Sequence, residues 1–132
     1  MNKNSSMNYL YYLLFLSTAL FMSCSSDDQK DELIIFENVD VRIELIGVED
    51  SRCPSDVQCF WEGDAVVTMT IFSKGDVSTF TLNSNPNVGS GQVERTVLGY
   101  SISLKNVEPY PQSSSEKIAL EEYTISLDVI GL

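Results

Sequence analysis

Histidine is absent from the 132 residues of this chain, and only three cysteines and one tryptophan are present. Without histidine a Ser-His-Asp triad is excluded, and the usual general base near neutral pH is missing. Zinc is also disfavoured, because histidine and free cysteine are its commonest ligands. We therefore predict that the protein is not an enzyme and has no catalytic residues, no cofactor and no metal site.

Carboxylates are the remaining candidates for metal ligands. Asp50, Asp56, Glu62 and Asp64 lie close together in the sequence, and their oxygens are of the kind that calcium prefers. Their spacing does not fit an EF-hand loop, which needs donors at alternate positions and a glycine at the sixth. We interpret the four side chains as solvated charges.

Basic residues are scarce. Eight lysines and arginines face nineteen aspartates and glutamates, which gives a net charge of −11. Such a charge repels nucleic acid and anionic lipid surfaces, so nucleic acid is excluded as a partner. A negative charge of this size usually serves solubility. The more specific alternative is that it attracts a basic partner.

A long apolar run is also missing. The apolar run over residues 9–22 follows a polar start that contains Lys3, and it is too short to span a membrane comfortably. Its length and flanks are typical of a secretory signal peptide, here residues 1–23, which ends in a small residue, Ser23.

Residues 20–24, LFMSC, resemble the lipobox of bacterial lipoprotein precursors, although that family prefers Leu where Phe21 stands. The resemblance implies that Cys24 is acylated and anchors the protein in a membrane. An ordinary secretory signal, or a buried thiol at Cys24, is the alternative. Lipidation of Cys24 also accounts for the odd cysteine, since Cys53 and Cys59 can then pair with each other.

The stretch after the lipobox is polar and charged, and we expect residues 24–32 to form a lipidated, disordered tether. Asp27 and Asp28 resemble the surface-export signal of Bacteroidota lipoproteins. The resemblance implies an outer-membrane protein on the cell surface, and the periplasmic face is the alternative. Both compartments permit disulfides.

Residues 50–64, DSRCPSDVQCFWEGD, contain two cysteines and the only tryptophan. The short separation of Cys53 from Cys59 favours a local disulfide that closes a surface loop. Its main effect would be to fix the shape of a loop that carries Phe60 and Trp61. Two interpretations remain open: the two rings form a preformed recognition surface, or they fold back and plug one end of the core.

Residues 33–132 have the length of one domain, and their periodicity is that of strands. Alternation predicts strands over residues 39–45, 98–104 and 123–129 and a short strand at Ile118 and Leu120. Residues 65–72 are largely apolar on both faces and predict a central strand, which forms a hairpin with residues 77–82. Residues 83–92 predict a mobile loop. With no long amphipathic helix, we predict an all-β antiparallel β-sandwich of about six to eight short strands, with a small closed β-barrel as the alternative.

Two motifs, RCPSDVQCFWEG at residues 52–63 and NVEPYPQ at residues 106–112 followed by Tyr123, are similar to those of a family of small Bacteroidota-type lipoproteins. Together they cover about a quarter of the domain. The resemblance implies architecture and no chemistry.

Function is therefore predicted at the level of a class. The first hypothesis is a binding or interaction module that presents Arg52, Phe60, Trp61 and Glu62 to a protein, peptide or glycan, possible forms being an accessory subunit or a protease inhibitor. The second is a structural envelope lipoprotein without a ligand site. Exposure of Trp61 separates them, because a buried indole favours the second hypothesis.

The lipid anchor is directly testable. We expect Cys24 to be the first residue of the mature protein and to carry lipid. Mass spectrometry of the protein isolated from membranes measures both properties. An unmodified Cys24 with the leader attached, or a soluble protein with another N-terminus, would contradict the prediction.

Overall fold

The computed structural model describes residues 32–132. The predictions for the signal peptide, for Cys24 and for the tether up to residue 31 lie outside these residues. From residue 32 onward the chain forms one compact unit with its own core.

Alternating apolar and polar side chains in this region form extended strands, because alternation gives a strand one buried and one solvated face. The seven strands are β1 Ile34–Glu37, β2 Val41–Asp50, β3 Ala65–Ser73, β4 Asp76–Asn83, β5 Glu94–Val97, β6 Tyr100–Glu108 and β7 Thr124–Gly131. A single-turn 3-10 helix, Leu120–Glu122, precedes β7. Among residues 32–132 there is no α-helix, and therefore none long and apolar enough to cross a membrane.

The strands form two antiparallel sheets. One has the order β1-β2-β3-β4 and the other the order β5-β6-β7, and the two do not close into a barrel. The prediction of an all-β antiparallel sandwich is confirmed. The predicted hairpin is β3 and β4, whose register runs from Val66 opposite Asn83 to Ser73 opposite Asp76.

The core lies between the sheets and is made largely of aliphatic side chains, and Phe80 is the only buried aromatic ring among residues 32–132. Its largest fully buried side chains are Ile43, Met69, Ile71, Leu82, Ile102, Val67 and Val107. Both sheets contribute, so each covers the apolar face of the other.

Two β-bulges shift which residues of β2 and β6 face the core. In β2 the register shifts between Leu45 and Gly47, and the intervening Ile46 is exposed. In β6 it shifts between Leu104 and Asn106, after which Val107 faces inward. A bulge adds one residue to one strand and so reverses the alternation beyond it.

Several strand boundaries differ from the predicted ones. Val39 lies before β2 and is fully exposed, and Leu98 lies in the β5–β6 turn with a φ of 49°. Ile118 is outside any strand, and Leu120 belongs to the 3-10 helix. The short edge strands β1 and β5 were not predicted, because four residues contain too little alternation to detect.

One end of the sandwich carries the connection between β2 and β3, and we call it the loop end. There β2 meets β3 at Asp50 opposite Ala65, and β6 meets β7 at Glu108 opposite Thr124. Residues 51–64, which contain Cys53 and Cys59, join β2 to β3 at this end. Residues 83–92, which were predicted to be mobile, are held here by hydrogen bonds such as those from Asn83 N to Gln92 O and from Asn85 N to Asp64.

Candidate functional site

The segment between β2 and β3 is closed at its base by backbone contacts. Ser51 N donates to Asp64 O at 2.7 Å, and Ser51 Oγ both donates to Asp64 O and accepts from Asp64 N. A Cβ at Gly63 would lie 1.7 Å from Ser51 O. Only glycine permits so close an approach of the two chain segments.

Cys53 and Cys59 are bonded to each other with Cα atoms 5.8 Å apart, so the predicted disulfide is confirmed. The bond closes a small ring, from Cys53 to Cys59, inside this segment. We call residues 52–63 the disulfide loop. Ser55 N donates to Pro111 O at 3.1 Å, and Asp56 accepts from Ser114 N at 3.0 Å. The disulfide loop is therefore attached to residues that precede β7.

Arg52 makes the strongest of these attachments. Its guanidinium forms an ion pair with Asp50 at 2.6 Å, with both side chains about nine-tenths buried. It also donates to Val107 O at 2.7 Å and to Pro109 O at 2.9 Å, and it stacks on the ring of Tyr110 at 4.9 Å. The planar fork of an arginine can satisfy several acceptors at once, so this one side chain ties the end of β2 to β6 in the other sheet.

Asp50 also accepts a hydrogen bond from Tyr123 Oη at 3.0 Å. Burial alone would raise the pKa of Asp50, but the hydrogen bonds and charge of Arg52, with the Tyr123 hydroxyl, hold that pKa below its usual value. Burial and the hydrogen bond to Asp50 raise the pKa of Tyr123 to about 12. None of these groups exchanges a proton near neutral pH, so the cluster is suited to holding structure and not to general acid-base chemistry.

Asp64 organises the neighbouring loop. It is 3% exposed and accepts hydrogen bonds from Asn83 Nδ2, from Ser84 Oγ at 2.9 Å and from Asn85 N at 2.8 Å. The prediction that the acidic residues of the segment are solvated is thus wrong for Asp50 and Asp64. Asp64 is buried and the Asp50 side chain is 7% exposed, because donors satisfy their oxygens: Arg52 and the distant Tyr123 for Asp50, and residues of the 83–85 segment for Asp64.

Phe60 and Trp61 lie on the surface of the disulfide loop, 98% and 78% exposed. Their rings pack edge to face, with centroids 6.3 Å apart and planes inclined by 74°. The interpretation that these rings plug the core is wrong, since aliphatic side chains already fill the space between the sheets.

A surface cleft of about 400 Å³ has Glu62, the residue after Trp61, in its wall. The loop cleft, as we name it, lies between the disulfide loop and residues 84–86, and its walls include Arg52, Glu62, Pro86 and Tyr110. Glu62 is exposed, and its Oε2 accepts a hydrogen bond from Asn85 Nδ2 at 3.2 Å. Charge, apolar surface and fixed backbone therefore meet at one place.

The four residues predicted to bind a ligand divide into two groups. Phe60, Trp61 and Glu62 are exposed, whereas Arg52 is an internal anchor that reaches the loop cleft only with part of its side chain. Sequence reasoning missed Tyr110 and Asn85 as cleft residues. Tyr110 stands between two prolines, which is a signal for a fixed turn, but no local pattern shows that it meets Arg52.

No protein-family model, curated protein or solved structure matches this chain significantly. Within residues 32–132 no three acidic or cysteine side chains converge as a metal site would require.

The disulfide should contribute shape more than stability. Replacing Cys53 and Cys59 with Ser is expected to lower the free energy of unfolding by about 2 kcal/mol, because the bond closes only a small ring. The strands should persist, since Arg52 and the Ser51–Asp64 contacts still hold the base of the loop. Circular dichroism and urea titration measure both properties. Reduced wild type should match the double variant, and complete unfolding of either would contradict the prediction.

The hydrogen bond of Tyr123 should make stability depend on alkaline pH. The folded chain keeps this proton up to about pH 12, whereas an unfolded tyrosine loses it near pH 10. The stabilisation is therefore fully present below about pH 10 and is lost as the pH rises towards 12.

Tyr123→Phe should reduce that alkaline loss by roughly 1 kcal/mol, a figure discounted for solvent screening of this half-buried group. Urea unfolding at about pH 9 and about pH 11.5 measures the loss in each protein. An identical loss in wild type and variant would show that Tyr123 does not contribute to it.

Proposed function

We propose that this protein is a lipid-anchored binding module of the bacterial cell envelope, in which the disulfide loop is the recognition element. The proposal includes acylation of Cys24, an outer-membrane location on the cell surface and the relationship to small Bacteroidota-type lipoproteins. The ligand class is taken up in the next subsection.

The main support for the proposal is that Phe60 and Trp61 are exposed on a loop whose shape is already held by contacts within the protein. Burying two such rings removes on the order of 300 Å² of apolar surface from water, worth roughly 7 kcal/mol before ordering costs. A free, flexible loop would lose much of this in ordering. Here the disulfide, the Gly63 contact and the Arg52 anchor limit that cost in the unbound protein.

Exposure also weighs against the second hypothesis. A structural lipoprotein without a ligand site has no use for adjacent exposed Phe and Trp side chains, which add aggregation risk.

Trp61→Ala should weaken capture of the partner from cell-envelope extracts by about tenfold or more, the usual size for an aromatic anchor in an interface. The folded core should be unaffected, since Trp61 lies outside it. Quantitative proteomics on material retained by immobilised full-length protein, with thermal unfolding as a check, gives the measurement.

Val39→Ala is the matched control, because Val39 is an equally exposed apolar residue next to the start of β2, at the other end of the sheet. It should retain wild-type capture. Equal capture by wild type and the Trp61 variant would remove the disulfide loop from the binding surface, and a Trp61 variant that melts would return Trp61 to a structural role.

A further inference from the structure

We propose that the partner is a protein segment with an apolar cluster next to a lysine or arginine: the apolar cluster packs against Phe60 and Trp61, and the basic side chain enters the loop cleft beside Glu62. This inference rests on the proposed function and specifies its ligand. It combines the electrostatics of the cleft, its shape and the geometry of the aromatic pair.

The loop cleft carries uncompensated negative charge. Among residues 32–132, Arg52 is the only cation in its walls, and its charge is balanced by Asp50 at 2.6 Å. Asp64 accepts hydrogen bonds from two residues of the cleft wall, Ser84 and Asn85, and all of its donors are neutral amide, hydroxyl and backbone groups. Within residues 32–132 neither Glu62 nor Asp64 forms an ion pair, so two negative charges remain beside a concave surface, which focuses their field.

Glu62 is prepared to accept a cationic donor. Asn85 Nδ2 donates to Glu62 Oε2 at 3.2 Å and to Gly63 O at 3.3 Å, which orients the carboxylate. The other oxygen, Oε1, accepts no hydrogen bond from any residue that the structure describes. Tyr110 and Pro86 offer apolar surface in the same cleft, against which the aliphatic stem of a lysine or arginine can pack.

The cleft has room for such a side chain. Its volume of about 400 Å³ lies at the lower end of the range for small-ligand pockets, and Glu62 in its wall directly follows Trp61 in the chain. Aromatic anchors commonly dominate a protein interface, and polar and charged contacts surround them.

The aromatic pair is not a flat platform for a sugar chain. Its rings are 98% and 78% exposed, but their planes are inclined by 74°, so a sugar ring can stack on one of them and not on both. An apolar cluster of another protein can contact both rings at once.

The charge of the loop end argues against an anionic lipid surface. Its exposed acidic side chains include Glu49, Asp56, Glu62, Glu116 and Glu122, while Lys117 is the one lysine among residues 48–64 and 108–123. Negative charge at this density opposes approach to anionic headgroups and favours a basic protein surface.

The test uses mature full-length protein in detergent and the fluorescence of Trp61, its only tryptophan. The probes are synthetic dodecapeptides that contain a leucine-phenylalanine cluster followed by one lysine or arginine, and matched peptides with glutamine or glutamate at that position. We expect the basic peptides to bind about fivefold more tightly than the glutamine peptides, a preference that falls with added salt.

Glu62→Gln should abolish this preference, so that basic and glutamine peptides bind equally. Glu37→Gln is the matched control, since Glu37 is an exposed glutamate at the other end of the sheet, and it should keep the preference. Equal binding of basic and glutamine peptides by the wild type, failure of every basic peptide to bind, or a preference that persists in Glu62→Gln would overturn the proposal.

Other ligand classes and the proposed function are tested separately. Trp61-dependent binding to a glycan array, or to vesicles of phosphatidylethanolamine and phosphatidylglycerol, in place of the basic peptides would also overturn this inference. If Trp61→Ala reduces capture from extracts but Glu62→Gln and salt do not, the binding module stands and the basic partner does not. If Trp61→Ala leaves capture unchanged, the proposed function itself fails.

Discussion

The ion pair between Arg52 and Asp50 is the interaction on which the loop end of this protein depends. Both side chains are almost completely buried, and breaking such a pair from one side commonly costs about 3 to 5 kcal/mol because the other charge is left uncompensated. Arg52 also donates to the carbonyl of Val107 in β6 and to that of Pro109, just after β6. One side chain thus links the two sheets at the same point where it fixes the disulfide loop.

This arrangement separates stability from recognition. The aliphatic core between the sheets holds the domain together, and the loop is held by hydrogen bonds, the disulfide and the close approach at Gly63. Phe60 and Trp61 are therefore not needed for packing and remain in solvent. Preformed aromatic surface of this kind loses little conformational entropy on binding, which is why rigid loops on β-sandwiches serve well as recognition elements.

The sequence patterns predicted the long strands, such as β7, which alternates regularly, and β3, which is apolar on both faces, and missed β1 and β5, which contain four residues each. They also placed Val39 and Leu98 in strands, although one lies before β2 and the other in a turn. Alternation continues past the end of a strand whenever the next polar and apolar residues happen to fit, so it fixes the type of an element better than its boundaries.

The all-β class and the pairing of Cys53 with Cys59 were determined by the sequence itself, because alternation of neighbouring residues and a short cysteine separation are local properties. Only the tertiary structure decided that Asp50 and Asp64 are buried and that Trp61 is exposed. Burial of a charge depends on donors brought in from elsewhere, here Asn83 for Asp64 and, in addition to the nearby Arg52, Tyr123 for Asp50. Exposure of Trp61 depends on whether other side chains already fill the core, and neither condition can be read from the residues next to it.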